Sequence, residues 1–263
     1  YARVGYIEFN EFINRVRFDP AGNYALTNPD DKFIWQLPYN QITSITQGES
    51  GRRVFSTNDL NSLLEISPDS KWVAVSENSE VNRSQGVLFN TETEEIFILP
   101  HTSDLTSLSF NPTNQFLVTT NEGNNEVYIW DVTTGAKIKT ISFKETVFTA
   151  LFNPKDSTLL IGLSDKFVIW DVTANQQVNM LFHTGRINLL TFNDNGSLLA
   201  SVSSDGSVNI WDMTASDLSN PKYQFRQSGK INALDFNSAK NWLAFAGDDG
   251  FLYLFDLNIG EEA

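Results

Sequence analysis

Ser207-Val208-Asn209-Ile210-Trp211-Asp212 reads as a short β-strand that ends in an aromatic ring followed by a carboxylate, and its β-branched residues suit a pleated, half-buried surface. An aromatic followed by a polar residue ends five more such segments, Lys32-Phe33-Ile34-Trp35-Gln36, Gly86-Val87-Leu88-Phe89-Asn90, Glu126-Val127-Tyr128-Ile129-Trp130-Asp131, Lys166-Phe167-Val168-Ile169-Trp170-Asp171 and Phe251-Leu252-Tyr253-Leu254-Phe255-Asp256. From Phe89 onward the terminal aromatics are 41, 40, 41 and 44 residues apart, and the first step, from Trp35, is 54. A nearly fixed period of this length marks a repeated structural unit.

A second signal precedes each aromatic. Phe18-Asp19-Pro20-Ala21-Gly22, Ile66-Ser67-Pro68-Asp69, Phe110-Asn111-Pro112-Thr113, Phe152-Asn153-Pro154-Lys155, Phe192-Asn193-Asp194-Asn195-Gly196 and Phe236-Asn237-Ser238-Ala239 each follow an apolar run. Asp, Asn or Ser followed by Pro is type I turn chemistry: Pro presets φ and the short polar side chain bonds the backbone ahead. Short β-rich runs follow, such as Ser197-Leu198-Leu199-Ala200-Ser201-Val202, and then tight Asp-Gly turns at Asp205-Gly206 and Asp249-Gly250. Each unit therefore reads as strands a, b and c joined by turns. A further turn (Thr134-Gly135, Ile259-Gly260) and a strand d such as Lys137-Ile138-Lys139-Thr140-Ile141 complete it. No segment requires a helix.

With these residues in place the chain resembles the WD40 repeat family over essentially its whole length. The resemblance rests on Trp130-Asp131, Trp170-Asp171 and Trp211-Asp212, on the turns after each Phe, and on one nearly complete copy running from His183-Thr184-Gly185-Arg186-Ile187 through Ser203-Ser204-Asp205-Gly206 to Trp211-Asp212. It implies an all-β propeller of six four-stranded blades, at about 8–47, 48–100, 101–141, 142–182, 183–227 and 228–263 plus 1–7, forming a single domain. Tyr1–Ile7 is expected to act as strand d beside Phe251–Phe255 and so to close the ring, since closure removes exposed strand edges. The alternative is part of a seven-bladed or longer array. The chain opens on Tyr and is expected to be a piece of a longer protein; looser similarity is to WD40 arrays of bacterial multidomain signalling proteins.

Composition narrows the function. There are 18 Lys and Arg against 32 Asp and Glu, a net charge of −14, which repels a phosphate backbone, so no direct nucleic-acid partner is expected. No apolar run reaches the roughly 18 residues of a spanning helix. The absence of Cys removes disulfides, thiolate metal sites and Cys nucleophiles, and favours a cytoplasmic setting. Asn193-Asp194-Asn195-Gly196 is too short for a calcium loop and lacks its closing Glu. No G-x-S-x-G elbow or Gly-rich phosphate cradle occurs. The reading is therefore a non-catalytic protein-interaction platform or sensor domain without metal or cofactor; the alternatives are the propeller of a hydrolase-type enzyme and a purely structural scaffold.

Only two histidines occur, His101 and His183. The resemblance implies that His183 joins Ser203, Asp205 and Trp211 in a structural hydrogen-bond network, whereas the sequence names no partner for His101. It further implies that two positions per blade point towards a partner on the upper face: Phe12 and Asn14, Leu60 and Ser62, Asp104 and Thr106, Thr146 and Phe148, Arg186 and Asn188, Lys230 and Asn232. Of these, Phe12, Asn14, Leu60, Phe148, Arg186, Asn188, Lys230 and Asn232 are the expected binding residues. Exposed rings beside two cations suit a protein partner carrying carboxylates or phosphates, as in an acidic or phosphorylated peptide.

Overall fold

A computed structural model describes residues 63–79, 83–183 and 185–259. Around them it describes residue 20 and the backbone of the strands at 7–8, 13–18, 25–29, 33–37, 45–46, 52–56 and 261–262. All secondary structure in these residues is β.

Six four-stranded sheets follow one another along the chain. The first comprises Ile13–Phe18, Ala25–Pro29, Phe33–Leu37 and Arg52–Ser56; the second, Leu64–Ile66, Trp72–Ser79, Arg83–Asn90 and Ile96–Pro100; the third, Leu105–Phe110, Phe116–Asn121, Glu126–Asp131 and Lys137–Ser142. The fourth comprises Thr149–Phe152, Thr158–Gly162, Lys166–Asp171 and Gln176–Phe182; the fifth, Ile187–Phe192, Leu198–Ser203, Ser207–Asp212 and Tyr223–Arg226; the sixth, Ile231–Asn237, Trp242–Gly247, Leu252–Asp256 and Glu261–Glu262. Strands within each sheet lie in sequence order, and their pairings are antiparallel. The chain divides into two compact units, Tyr1–Ile141 and Ser142–Ala263.

The turn residues show why these sheets form. Asn111 Oδ1 accepts the backbone N–H groups of Gln115 and Phe116, both at 2.8 Å, and Asn193 Oδ1 accepts that of Leu198 at 2.9 Å. The carboxylate after Trp130, Trp170 and Trp211 serves the next turn in the same way. Asp131 Oδ1 takes the N–H groups of Thr133 and Thr134, Asp171 Oδ1 those of Thr173 and Ala174, and Asp212 Oδ1 that of Thr214. These bonds favour the ionised form, so Asp131 and Asp212 sit below the usual carboxylate range, chiefly through the hydroxyls of Thr133 and Thr214.

Middle strands of the third, fourth and fifth sheets are buried on both faces, which is why they read as continuous apolar runs rather than alternating ones. Every residue of Leu198–Ser203 is buried. Leu199 and Trp211 pack with Leu160, Phe167 and Ile169 of the fourth sheet, while Leu198, Ala200, Val202 and Ile210 pack with Leu243, Phe245 and Phe255 of the sixth. In the first unit, Trp72, Leu88 and Leu99 of the second sheet meet Phe110, Leu117, Tyr128 and Trp130 of the third.

The expected closing pairing of Tyr1–Ile7 with Phe251–Phe255 falls largely outside the described residues. Tyr1–Tyr6 lie outside the described residues, while Ile7–Glu8 pair in parallel with Ile45–Thr46. The fourth strand beside Leu252–Asp256 is Glu261–Glu262, through Phe255 with Glu262 and Asp256 with Glu261. It covers only the end of its neighbour.

Candidate protein-binding site

Arg186 and Lys230 occupy the same position in consecutive sheets, each one residue before a first strand whose leading residue, Ile187 or Ile231, is buried. Their backbone is held in the same way too: the Arg186 carbonyl accepts the Ser204 N–H at 2.7 Å and the Lys230 carbonyl accepts that of Asp248 at 2.9 Å. The first strands of the fifth and sixth sheets lie against one another. Both cationic side chains are exposed on this fixed backbone frame.

The Arg186 guanidinium carbon stands 4.2 Å from the centre of the Phe148 ring, a cation–π arrangement that orients the guanidinium and leaves its N–H edge open. Phe148 is half-buried, its N–H donating to the Gly162 carbonyl at 2.9 Å. Among the described residues neither Arg186 nor Lys230 forms an ion pair or a side-chain hydrogen bond, although acidic groups outnumber basic ones 32 to 18. Asn188 is exposed, and Asn232 is exposed but committed to Asp248 Oδ1 at 2.5 Å. Phe148, Arg186, Asn188, Lys230 and Asn232 thus belong to one unit. Phe12 and Leu60 lie outside the described residues, and Asn14 is seen only as backbone within Ile13–Phe18.

Of the residues expected to form a network around His183, Trp211 and Ser203 take part in separate hydrogen bonds. Trp211 donates its indole N–H to Ser201 Oγ at 3.0 Å, not to Ser203. Register explains this: Trp211 faces Leu199 and Asn209 faces Ser201, so Ser201 lies diagonally across from Trp211 on the same side. Ser203, at the strand end, instead donates to Asp205 Oδ1. Burial of His183 lowers its pKa, and the Asp205 carboxylate and a backbone bond at Ser201 partly offset that effect.

His101, whose partner the sequence did not reveal, forms the more complete relay. Its Nδ1 lies 2.8 Å from the Leu99 carbonyl, which can only accept, so Nδ1 carries the proton. Nε2 therefore accepts from Thr119 Oγ1 at 2.8 Å, and Thr119 in turn accepts the Trp130 indole N–H at 2.8 Å. Register was the available signal, since Thr119 stands to Trp130 as Ser201 stands to Trp211.

The fourth sheet lacks this device. Ile161 occupies the position of Thr119 and Ser201, and the Trp170 indole N–H is buried without an acceptor among the described residues. Phe143 packs edge-on to Trp170 at 6.3 Å. Replacing an indole by phenyl removes a hydrogen bond at Trp130 and Trp211 but none at Trp170. Chemical denaturation should therefore show Trp170→Phe costing roughly 1 kcal/mol less than Trp130→Phe or Trp211→Phe. Equal losses at all three positions would show that the indole bonds contribute nothing net.

The fold and turns define a repeat chain of four-stranded antiparallel sheets. The model of the family described as "WD domain, G-beta repeat" matches residues 93–131, 175–212 and 219–256. The chain carries WD40 repeats at these three positions. Each match takes in all or part of the fourth strand of one sheet and the first three strands of the next.

Among curated proteins, the chain is 32% identical over 111 residues to "Serine-threonine kinase receptor-associated protein" of Dictyostelium discoideum, covering 41% of this chain and 37% of that protein. It is 28% identical over 188 residues to "Pre-mRNA-processing factor 19 homolog 2" of Arabidopsis thaliana, covering 68% and 34%. It is 29% identical over 89 residues to human "Pre-mRNA-processing factor 17", covering 32% and 15%. The matched stretch spans about a third of the length of the first two relatives.

Proposed function

We propose that the six sheets are blades of a propeller within a larger polypeptide, and that this domain is a non-catalytic protein-interaction platform. Its partner presents an acidic or phosphorylated segment to Arg186 and Lys230, with Phe148 and Asn188 beside them. The observation that carries this reading is the Arg186 guanidinium, oriented by Phe148 and paired with no carboxylate among the described residues of a chain of net charge −14. A stability role for the pair would not require an exposed, unneutralised N–H edge, whereas recognition of a carboxylate or phosphate does. The cysteine-free composition suits a cytoplasmic setting for such a platform. Names such as receptor-associated protein and pre-mRNA-processing factor, borne by relatives of this chain, are compatible with work inside assemblies.

The test compares wild type with Arg186→Glu and Phe148→Ala in capture of partners from native lysate, followed by kinetics on those recovered. Arg186→Glu is expected to slow association and flatten its salt dependence. Phe148→Ala should speed dissociation, at a cost of roughly 2 kcal/mol. Melting temperatures should be unchanged. Recovery of the same partners at undiminished yield by both variants would remove this surface from the proposal.

A further inference from the structure

A second surface runs along the outer edge of the second sheet. Ile96-Phe97-Ile98-Leu99-Pro100 is the outermost strand there and has no neighbour on its far side among the described residues. One face of the strand is anchored: Leu99 is fully buried, and Phe97 stacks on Trp72 with ring centres 5.9 Å apart. The other face carries Ile96, Ile98 and Pro100, all exposed, the isoleucines at 51% and 49%. Backbone direction follows from the two ends of the strand. The Glu95 carbonyl accepts the Asn90 N–H at 2.9 Å and the His101 N–H donates to the Ser84 carbonyl at 3.2 Å, so both residues turn towards the neighbouring strand Arg83–Asn90. The register between them is unbroken. Alternation in an antiparallel ladder then points the N–H and C=O of Ile96 and Ile98 and the C=O of Pro100 away from the sheet.

Edges of this kind invite pairing unless charge or a bulge prevents it. The third sheet ends in a strand bearing Lys137 and Lys139, the fourth in one whose register shifts at Val178, and the fifth in one that closes on Arg226. Ile96–Pro100 contains no charged residue and no register shift. It is the edge these devices leave open.

We propose that this edge receives an extended segment of a partner protein as a fifth, antiparallel strand. Main-chain bonds to Ile96, Ile98 and Pro100 hold the segment, and apolar residues at every second position cover the two isoleucines. Glu92, Glu94 and Glu95 stand exposed where the strand begins. Antiparallel pairing brings the C-terminal end of the segment to these carboxylates, so that end carries Lys or Arg and is steered by the chain's −14 charge. A second copy of the chain fits less well. Its equal charge repels, and pairing Ile98 with itself sets Ile96 opposite Pro100, which has no N–H to offer the Ile96 carbonyl. This surface uses neither Arg186 nor Lys230.

The probe is the fluorescein-labelled peptide Gly-Val-Thr-Val-Thr-Val-Lys-Lys, followed by anisotropy against the whole chain at an ionic strength of about 0.15 M. Its control is the same peptide N-methylated at the central valine, which keeps every side chain and charge but cannot donate the bond to Ile98. Binding should be saturable for the first peptide and weaker by about tenfold or more for the second. Ile98→Lys places a charge on the edge and should weaken binding by about tenfold or more. Ile138→Lys makes the same change at a residue of the third sheet's outer strand that is also 49% exposed, and should leave affinity within about twofold. Ile98→Thr keeps a β-branched side chain and should weaken binding about threefold. Sedimentation velocity of the chain alone should show a monomer. Absence of saturable binding, undiminished binding of the methylated peptide, or equal weakening by Ile98→Lys and Ile138→Lys would overturn the proposal. Self-association abolished by Ile98→Lys would overturn it too, by giving the edge to a second copy.

Discussion

Thr119→Val should lower the unfolding free energy by about 3 kcal/mol, because it leaves two buried groups unpaired at roughly 1 to 3 kcal/mol each. Thr119 is fully buried, and its hydroxyl both accepts the Trp130 indole N–H and donates to His101 Nε2. Valine keeps the branched shape and the volume, so cavity formation contributes little. What is lost is the bridge. Thr119→Ser keeps the hydroxyl and should recover most of the stability, at the cost of one buried methyl group, roughly 1 kcal/mol. Urea denaturation followed by tryptophan fluorescence and circular dichroism measures both. A valine variant as stable as wild type would mean that the relay offsets only its own desolvation.

The difference between legible and illegible features follows from how far each one reaches. Sheets were legible because their turns are local: Asn111 captures N–H groups four and five residues ahead, and Asp131 those two and three ahead. The sequence alone displays such contacts. Thr119 was not legible as the partner of His101, because their meeting depends on the pairing of strands 18 residues apart. The same limit shifted the Trp211 partner from Ser203 to Ser201, a matter of one diagonal in the strand register. Repeat position was enough to mark Arg186, Lys230 and Phe148 as a candidate group. It did not foretell that Arg186 would lie over Phe148, which depends on side-chain direction across two sheets.

The relay at His101 also fixes how the protein responds to acid. Burial of the imidazole, opposed by its bond to the Leu99 carbonyl and assisted by the nearby Lys137 charge, lowers its pKa from 6.5 to about 4. Geometry gives the same direction independently, because an Nε2 that accepts from Thr119 cannot also carry a proton. Between these two values the unfolded chain binds a proton that the folded chain refuses, so stability falls as pH falls. The contribution is fully present above pH 6.5, is lost progressively down to about pH 4, and amounts to roughly 3 kcal/mol. His183 acts with the same sign, its pKa also being lowered by burial. Asp131 and Asp212, held below the ordinary carboxylate range, titrate under the histidine window and add their own loss only in stronger acid. Denaturant midpoints measured between pH 7 and pH 4 should therefore decline steadily in wild type, while His101→Gln, less stable at neutral pH, should show a distinctly shallower decline. Parallel curves for the two proteins would show that the proton is taken up elsewhere and that the Thr119–His101 bond does not hold the imidazole neutral.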